Sequence, residues 1–296
     1  MNKQRLSRLF YLPVLCATFI IFLLHPNIAA GKGGAPNKDK KAGDISTHEV
    51  NTPVHEQIDC ASISSKRLMV ALILGQSNVA NTAPSLSSAS GNVFILYKGK
   101  CFHAKDPLLG TSGKGGSVWP LLGDMLISEN IYDNVLFIPI AIGGSRVRDW
   151  APEGYLHDRL IKTLERIRSS GFRETHILWH QGESDSIKET SKDSYVKSFN
   201  EMVQSIRSQD VEAPLFVSVA SVCRNEPSLE IRGAQKEVLN KEMNILPGPD
   251  TDELGPRYRK DGCHFNTEGI KAFASLWLQL ISAYKTEHNN SSGQRQ

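Results

Sequence analysis

Four short stretches carry side chains suited to acyl transfer: Gly75-Gln76-Ser77-Asn78, Gly143-Gly144-Ser145, Gln181-Gly182-Glu183-Ser184-Asp185 and Asp261-Gly262-Cys263-His264. A serine hydroxyl is a weak nucleophile until a base takes its proton, and an imidazole needs a carboxylate to fix its tautomer and stabilise its cation. Ser77 is the candidate nucleophile and His264 the candidate base. Asp261 lies three residues before His264, within one turn of the imidazole Nδ1. Charge developing on an acyl oxygen requires donors already in place. The candidates are the backbone N–H of Ser77, that of Gly143 or Gly144, and the side-chain amide of Gln181; glycine lets backbone approach a ligand closely. Taken singly, each stretch also fits an ordinary role. The first and second read as turns, the third as a solvated loop end, and the fourth as a helix-capping turn with Asn266 or Thr267 as N-cap. The chemical interpretation depends on all four meeting at one end of one sheet.

The elements that would bring them together follow from hydrophobic patterning. Leu68–Leu74 is a continuous apolar run, the pattern of a strand covered on both faces. Further strands are expected at Val93–Tyr97, Val135–Ile142, Thr175–His180 and Leu215–Val222. Helices are expected at Val118–Glu129, Leu156–Ser169, Tyr195–Ser208, Leu229–Asn244 and Thr267–Tyr284. Repeated strand–helix alternation predicts one three-layer α/β/α domain around a central parallel sheet. Ligands of such sheets bind beyond the C-terminal ends of the strands, where the four stretches fall. His176 and His180 share a metal-like spacing, but within a strand they are expected to pack or hydrogen-bond; no metal and no organic cofactor is expected.

Charge and composition narrow the function classes. The chain has 296 residues, with 34 basic and 31 acidic. Residues 1–30 hold Lys3, Arg5 and Arg8 and no acid, which leaves 31 of each sign in the remainder. A nucleic-acid binder would carry a clustered basic surplus, and none is visible. The basic start, the apolar run Leu9–Leu24 and the small residues Ala29 and Ala30 predict an export signal over 1–30, with a retained membrane anchor as the alternative. Residues 31–59 read as a flexible linker, 60–286 as the catalytic domain and 287–296 as a disordered tail. The protein is therefore expected to be secreted or periplasmic, touching a membrane only through an uncleaved leader. Beyond Cys16, the cysteines Cys60, Cys101, Cys223 and Cys263 allow two disulfides in three connectivities, of which Cys60–Cys101 with Cys223–Cys263 is favoured.

GQSN, the Gly-Gly-Ser loop, WHQGESD and DGCHFN, in this order over about residues 68 to 285, resemble the SGNH hydrolase superfamily. Within it they are most similar to the sialate O-acetylesterase and acetylxylan-esterase branch, including carbohydrate esterase family 6. The resemblance implies a flavodoxin-like sandwich, Ser77 as nucleophile, His264 as base, Asp261 as its acid and the Gly143–Gly144 pair as oxyanion donor. It also shows a departure, since Ser184 stands where the superfamily's third block has asparagine. Gln181 is the expected substitute donor. Gln76, Asn78, Glu183 and Arg146 are expected to support the loop or the substrate, with Trp150 either bordering the sugar or in the core.

The activity so implied is removal of O-acetyl groups from carbohydrate by double displacement. A carbohydrate O-acetyltransferase using the same site and a non-catalytic carbohydrate-binding protein are the alternatives. The loops around Phe102–Gly116 and Arg224–Ser228 are expected to shape the pocket.

Overall fold

The computed structural model describes residues 55–293. The expected signal and most of the expected linker lie outside the described residues. Eight strands form one sheet in the order β1-β4-β3-β5-β2-β6-β7-β8. They are β1 (Gln57–Ile58), β2 (Leu68–Gly75), β3 (Val93–Tyr97), β4 (Lys100–His103), β5 (Asn134–Ala141), β6 (His176–His180), β7 (Leu215–Val219) and β8 (Ile245–Asp250). The helices are α1 (Trp119–Ser128), α2 (His157–Ser169), α3 (Glu183–Ile187), α4 (Lys192–Arg207), α5 (Leu229–Glu237) and α6 (Thr267–Gly293).

Strands β5-β2-β6-β7-β8 run parallel and, numbered along the chain, follow the flavodoxin order 2-1-3-4-5. The β3–β4 hairpin is an addition outside β5, with β4 antiparallel to β3 and β1 antiparallel to β4. Alternation along β2 separates the two outer layers. Val70, Leu72 and Leu74 pack with the buried faces of α2, α4 and α5. Met69, Ala71 and Ile73 pack with those of α1 and α6. Both faces of β2 are therefore dry, which is why its sequence is continuously apolar. Among the described residues no helix is long and apolar enough to cross a membrane.

Several expected boundaries are corrected. The folded domain begins before Cys60, because β1 pairs with β4, and the Cys60–Cys101 disulfide ties the turn after β1 to β4. Helix α5 stops at Glu237, not Asn244. Beyond it the Asn240 side chain accepts the backbone N–H groups of Glu242 and Met243, a local bond that competes with helix. β8, with Pro247, Gly248 and Pro249, was not expected as a strand; it sits at the sheet edge, where missing N–H donors are tolerated. α6 continues to Gly293, past the expected start of a disordered tail at 287.

Candidate active site

The register of the sheet places three of the four stretches side by side. Gly75, the last residue of β2, pairs with Ala141 of β5 on one side and His180 of β6 on the other. The three strands end level, so Gln76-Ser77, Gly143-Gly144 and Gln181-Gly182 leave the sheet together. A Cβ on Gly75 would stand 2.1 Å from the His180 carbonyl oxygen, and one on Gly182 2.1 Å from that of Ala220. Only glycine allows the chain to turn so close to its neighbours.

Ser77 opens a short 3-10 turn, Ser77–Val79, and is nearly buried. Its backbone N–H has no hydrogen-bond partner among the described residues. The fourth stretch precedes α6, whose first turn is capped by Asn266 Oδ1 accepting from the Gly269 N–H at 2.9 Å. His264 Nδ1 lies 2.8 Å from Asp261 Oδ2, and Asp261 Oδ1 accepts the backbone N–H groups of His264 (2.7 Å) and Cys263 (3.0 Å). Partial burial opposes the charge on Asp261, but these bonds outweigh it and hold the carboxyl below its usual range. The carboxylate thus fixes the tautomer that leaves His264 Nε2 as acceptor.

Asn78 joins the His264 loop to the Ser77 turn. Its Oδ1 accepts the N–H of Phe265 at 3.1 Å, and its Nδ2 donates to the carbonyl of Cys263 at 3.2 Å. The residues on both sides of His264 are therefore bonded to the residue after Ser77. The Cys263 carbonyl also accepts from Arg259 Nη1 at 2.6 Å, while that guanidinium lies over the Phe265 ring. The Cys223–Cys263 disulfide anchors the loop from the other side. Both favoured disulfides are present. The bond from Ser77 Oγ to His264 is not closed in this structure; such bonds are commonly long without substrate and tighten with it.

Behind Asn78 lies Glu183, wholly buried, whose Oε1 accepts from Asn78 Nδ2 at 2.6 Å. Burial raises its carboxyl to about 7, against the pull of the Asn78 bond. His180 Nδ1 lies 3.8 Å from the same oxygen, but burial lowers that imidazole to about 3, so the contact is between neutral groups near pH 6 and not an ion pair. Glu183 supports the Ser77 loop through Asn78 and is fully buried. His180 Nε2 bonds Thr251 Oγ1 and His176 Nε2 bonds Tyr132, as expected of packed strand histidines. Among the described residues no group of His, Cys, Asp and Glu is arranged to hold a metal ion.

The expected oxyanion donors divide. The Gly144 N–H has no partner among the described residues, and Gly144 adopts φ +77° in a turn closed by the Ser145 N–H on the Ile142 carbonyl. Gly143, by contrast, donates its N–H to Ser112 Oγ at 2.7 Å. Gln181 is turned away from the nucleophile. Its Nε2 faces three acceptors: Gln76 Oε1 (3.2 Å), the Ser145 carbonyl (3.1 Å) and Asp185 Oδ2 (2.6 Å). Asp185 Oδ2 also accepts the Val147 N–H at 2.9 Å, tying the third stretch to the second.

Trp150 is core, fully buried edge-on to Trp179. Arg146 does border an open groove of about 750 Å³ that starts at Gly144, with Arg148, Tyr155, Ser184 and Lys188 also on its walls. This groove is built by 144–155 and 184–188, not by the two loops expected to shape the pocket. Of those loops, Ser112 meets Gly143, and Asn225 donates its backbone N–H to the Gly262 carbonyl at 2.8 Å. Ser112 carried no local sequence signal, since its partner Gly143 is distant in the chain; Arg259 was not singled out either, although it acts on Cys263 and Phe265, four and six residues away.

Known carbohydrate esterases resemble this chain in sequence and fold. A probable carbohydrate esterase of Arabidopsis thaliana is 28% identical over 149 residues, half of this chain and 54% of that protein, so the match spans about half the length of this curated relative. The crystal structure of the same Arabidopsis protein superposes with a TM-score of 0.59 at 20% identity, covering 74% of this chain and 98% of that one. A family 3 carbohydrate esterase from Talaromyces cellulolyticus gives 0.50 at 12% identity, covering 74% and 99%. These likenesses support the fold. The family model described as carbohydrate esterase, sialic acid-specific acetylesterase matches residues 67–281, from the start of β2 into α6. With a match across most of its length, the chain belongs to the sialic acid-specific acetylesterase family of carbohydrate esterases.

Proposed function

We propose that this protein is a serine esterase that removes O-acetyl groups from carbohydrate. The observation that carries it is the Asp261–His264 pair, oriented by its own backbone and clamped through Asn78 to the residue following Ser77. His264 Nε2 takes the Ser77 proton as Oγ bonds to the acetyl carbon. The carbonyl π pair moves to the oxygen, which faces the unpaired N–H groups of Ser77 and Gly144. Collapse expels the sugar oxygen, protonated by His264, and leaves acetyl-Ser77. Water, deprotonated by the same imidazole, then releases acetate and restores the serine.

The groove beside Gly144 supports a sugar as the leaving group. Tyr155, exposed on its wall, offers an aromatic face to a pyranose ring. Arg146, Arg148 and Lys188 outnumber the single acid Asp149 there, which suits an acetylated sugar bearing a carboxylate. The two disulfides support an exported protein. The test is acetate release from 4-nitrophenyl acetate and from acetylated sugars by the full chain and by Ser77→Ala. Loss of activity in a variant that keeps its circular dichroism spectrum is expected. Equal activity in both proteins would remove Ser77 as nucleophile.

A further inference from the structure

A second cavity, of about 230 Å³, opens between the end of β3, β5 and α2. Lys98, Arg159 and Arg166 stand on its walls, and none of its lining residues is acidic. Arg159 and Arg166 lie seven apart on one face of α2, while Lys98 Nζ sits 5.1 Å above the Tyr97 ring. Arg159 is half-buried, and its Nη2 donates to the Gly110 carbonyl at 2.7 Å. Its Nε and Nη1 have no protein partner among the described residues. Other half-buried arginines of this chain are fully engaged. Arg232 meets Asp250 and Asp252, Arg207 the carbonyls of Val211, Ala213 and Met243, and Arg259 those of Cys263 and Thr251. Burial pulls the Arg159 pKa below the arginine range, the like charge of Arg166 adds to the fall, and no carboxylate offsets either. A guanidinium withdrawn from water without a counter-charge carries a desolvation cost that a bound anion would offset.

We propose that this cavity binds one phosphate or sulfate group, held by the free edge of the Arg159 guanidinium with Arg166 and Lys98 as flanking cations. The planar fork of arginine offers two parallel N–H donors, which take two oxygens of such a group at once. Three cations without an acid favour a dianion over a carboxylate, which would leave two of the charges unopposed. The cavity shares no wall residue with the groove beside Gly144. It adjoins Gly110, two residues before Ser112, whose Oγ accepts the Gly143 N–H. The anion site therefore neighbours the proposed esterase centre without being part of it. No step of acyl transfer passes through it, and the inference stands whether or not Ser77 is the nucleophile.

Isothermal titration calorimetry of the full chain at pH 8 and constant ionic strength tests this with inorganic phosphate, glucose 6-phosphate and, as the carboxylate control, acetate. Saturable one-to-one binding of phosphate with a Kd of about 0.1–1 mM is expected, and weaker binding of acetate. Lys98→Gln combined with Arg166→Gln should weaken phosphate binding about tenfold. Arg159→Lys keeps the charge but loses the fork, and should weaken it by at least as much. Lys98 and Arg166 are exposed, so the double variant keeps the test decisive if Arg159→Lys disturbs the Gly110 contact. Tighter binding of glucose 6-phosphate than of the free ion, lost in the same variants, would identify a phosphorylated sugar as the source of the group; equal or weaker binding would identify the free ion. Absence of saturable binding of both phosphate probes would overturn the proposal, as would acetate binding as tightly as phosphate or a Kd unchanged in the double variant. Binding lost in Arg148→Gln but kept in the double variant would place the anion in the Gly144 groove and equally sink the inference.

Discussion

Glu183→Gln should flatten part of the dependence of stability on pH. The carboxyl is buried against Asn78, and burial raises it from 4.5 to about 7. Between those values the folded protein holds a proton that the unfolded chain has released, so stability falls as pH rises through this window. The contribution is fully present below about pH 4.5 and lost above about pH 7. At about 1.4 kcal/mol per pH unit, the loss amounts to about 3 kcal/mol. Glutamine keeps an oxygen for the Asn78 amide and cannot ionise. The charged groups that act on Glu183, Arg259 and Asp252, are common to both proteins. His180 stays neutral throughout, its imidazole being lowered to about 3. Urea unfolding of the parent and Glu183→Gln at pH 5, 6, 7 and 8, with disulfides intact and equal m-values, should give a stability difference that moves in favour of the variant by about 2–4 kcal/mol across the range. A difference that stays constant with pH would refute the reasoning, since it would mean that Glu183 ionises as readily in the folded protein as in the open chain.

Asp261→Asn should keep the two backbone bonds to the side-chain oxygen but lose the charge that fixes the His264 tautomer. A fall in kcat of about 10³–10⁴ with little change in KM for 4-nitrophenyl acetate is expected, and a kcat within tenfold would remove Asp261 from the triad. Replacing Cys223 and Cys263 together by serine opens a cross-link spanning 40 residues. The chain-entropy relation predicts a loss of about 4 kcal/mol in urea unfolding, and an unchanged midpoint would show that the loop is held by its hydrogen bonds alone.

The parts of the fold legible in the sequence were those whose environment is uniform along the element. β2 and β5 are buried on both faces, so their residues are apolar without interruption. β8 was hidden because an edge strand tolerates Pro247 and Pro249, which read as loop. β1 and β4 are too short to show a period, and β1 exists as a strand through its pairing with β4. The end of α5 depended on which side chain captured the backbone N–H groups after Leu239, a competition that propensity does not decide. Within the site, the pairing of Asp261 with His264 was legible, because a carboxylate three residues before a histidine can reach its Nδ1 within one turn. The two glutamines were not. Gln76 and Gln181 both follow a strand and both carry an amide. Their mutual hydrogen bond, with Gln181 as donor and Gln76 as acceptor, is visible only in the fold. Trp150 was ambiguous for a similar reason: an aromatic beside a pocket and one beneath it leave the same local sequence.

The way the centre is joined also explains where it is sensitive. Ser77 and His264 come from opposite ends of the domain, separated by 187 residues in the chain and carried by the turn after β2 and the loop before α6. Among the described residues no hydrogen bond joins the two side chains directly. The holding falls to Asn78, which donates to the Cys263 carbonyl, accepts from the Phe265 N–H and is itself oriented by buried Glu183. A buried amide bonded to backbone on both sides has little rotational freedom, so His264 arrives at Ser77 with its approach already set. The imidazole, being partly exposed, keeps the freedom to close the last gap when substrate displaces water. Under the proposed mechanism these fixed supports surround the one side chain that carries the proton, which places the preorganisation where charge develops.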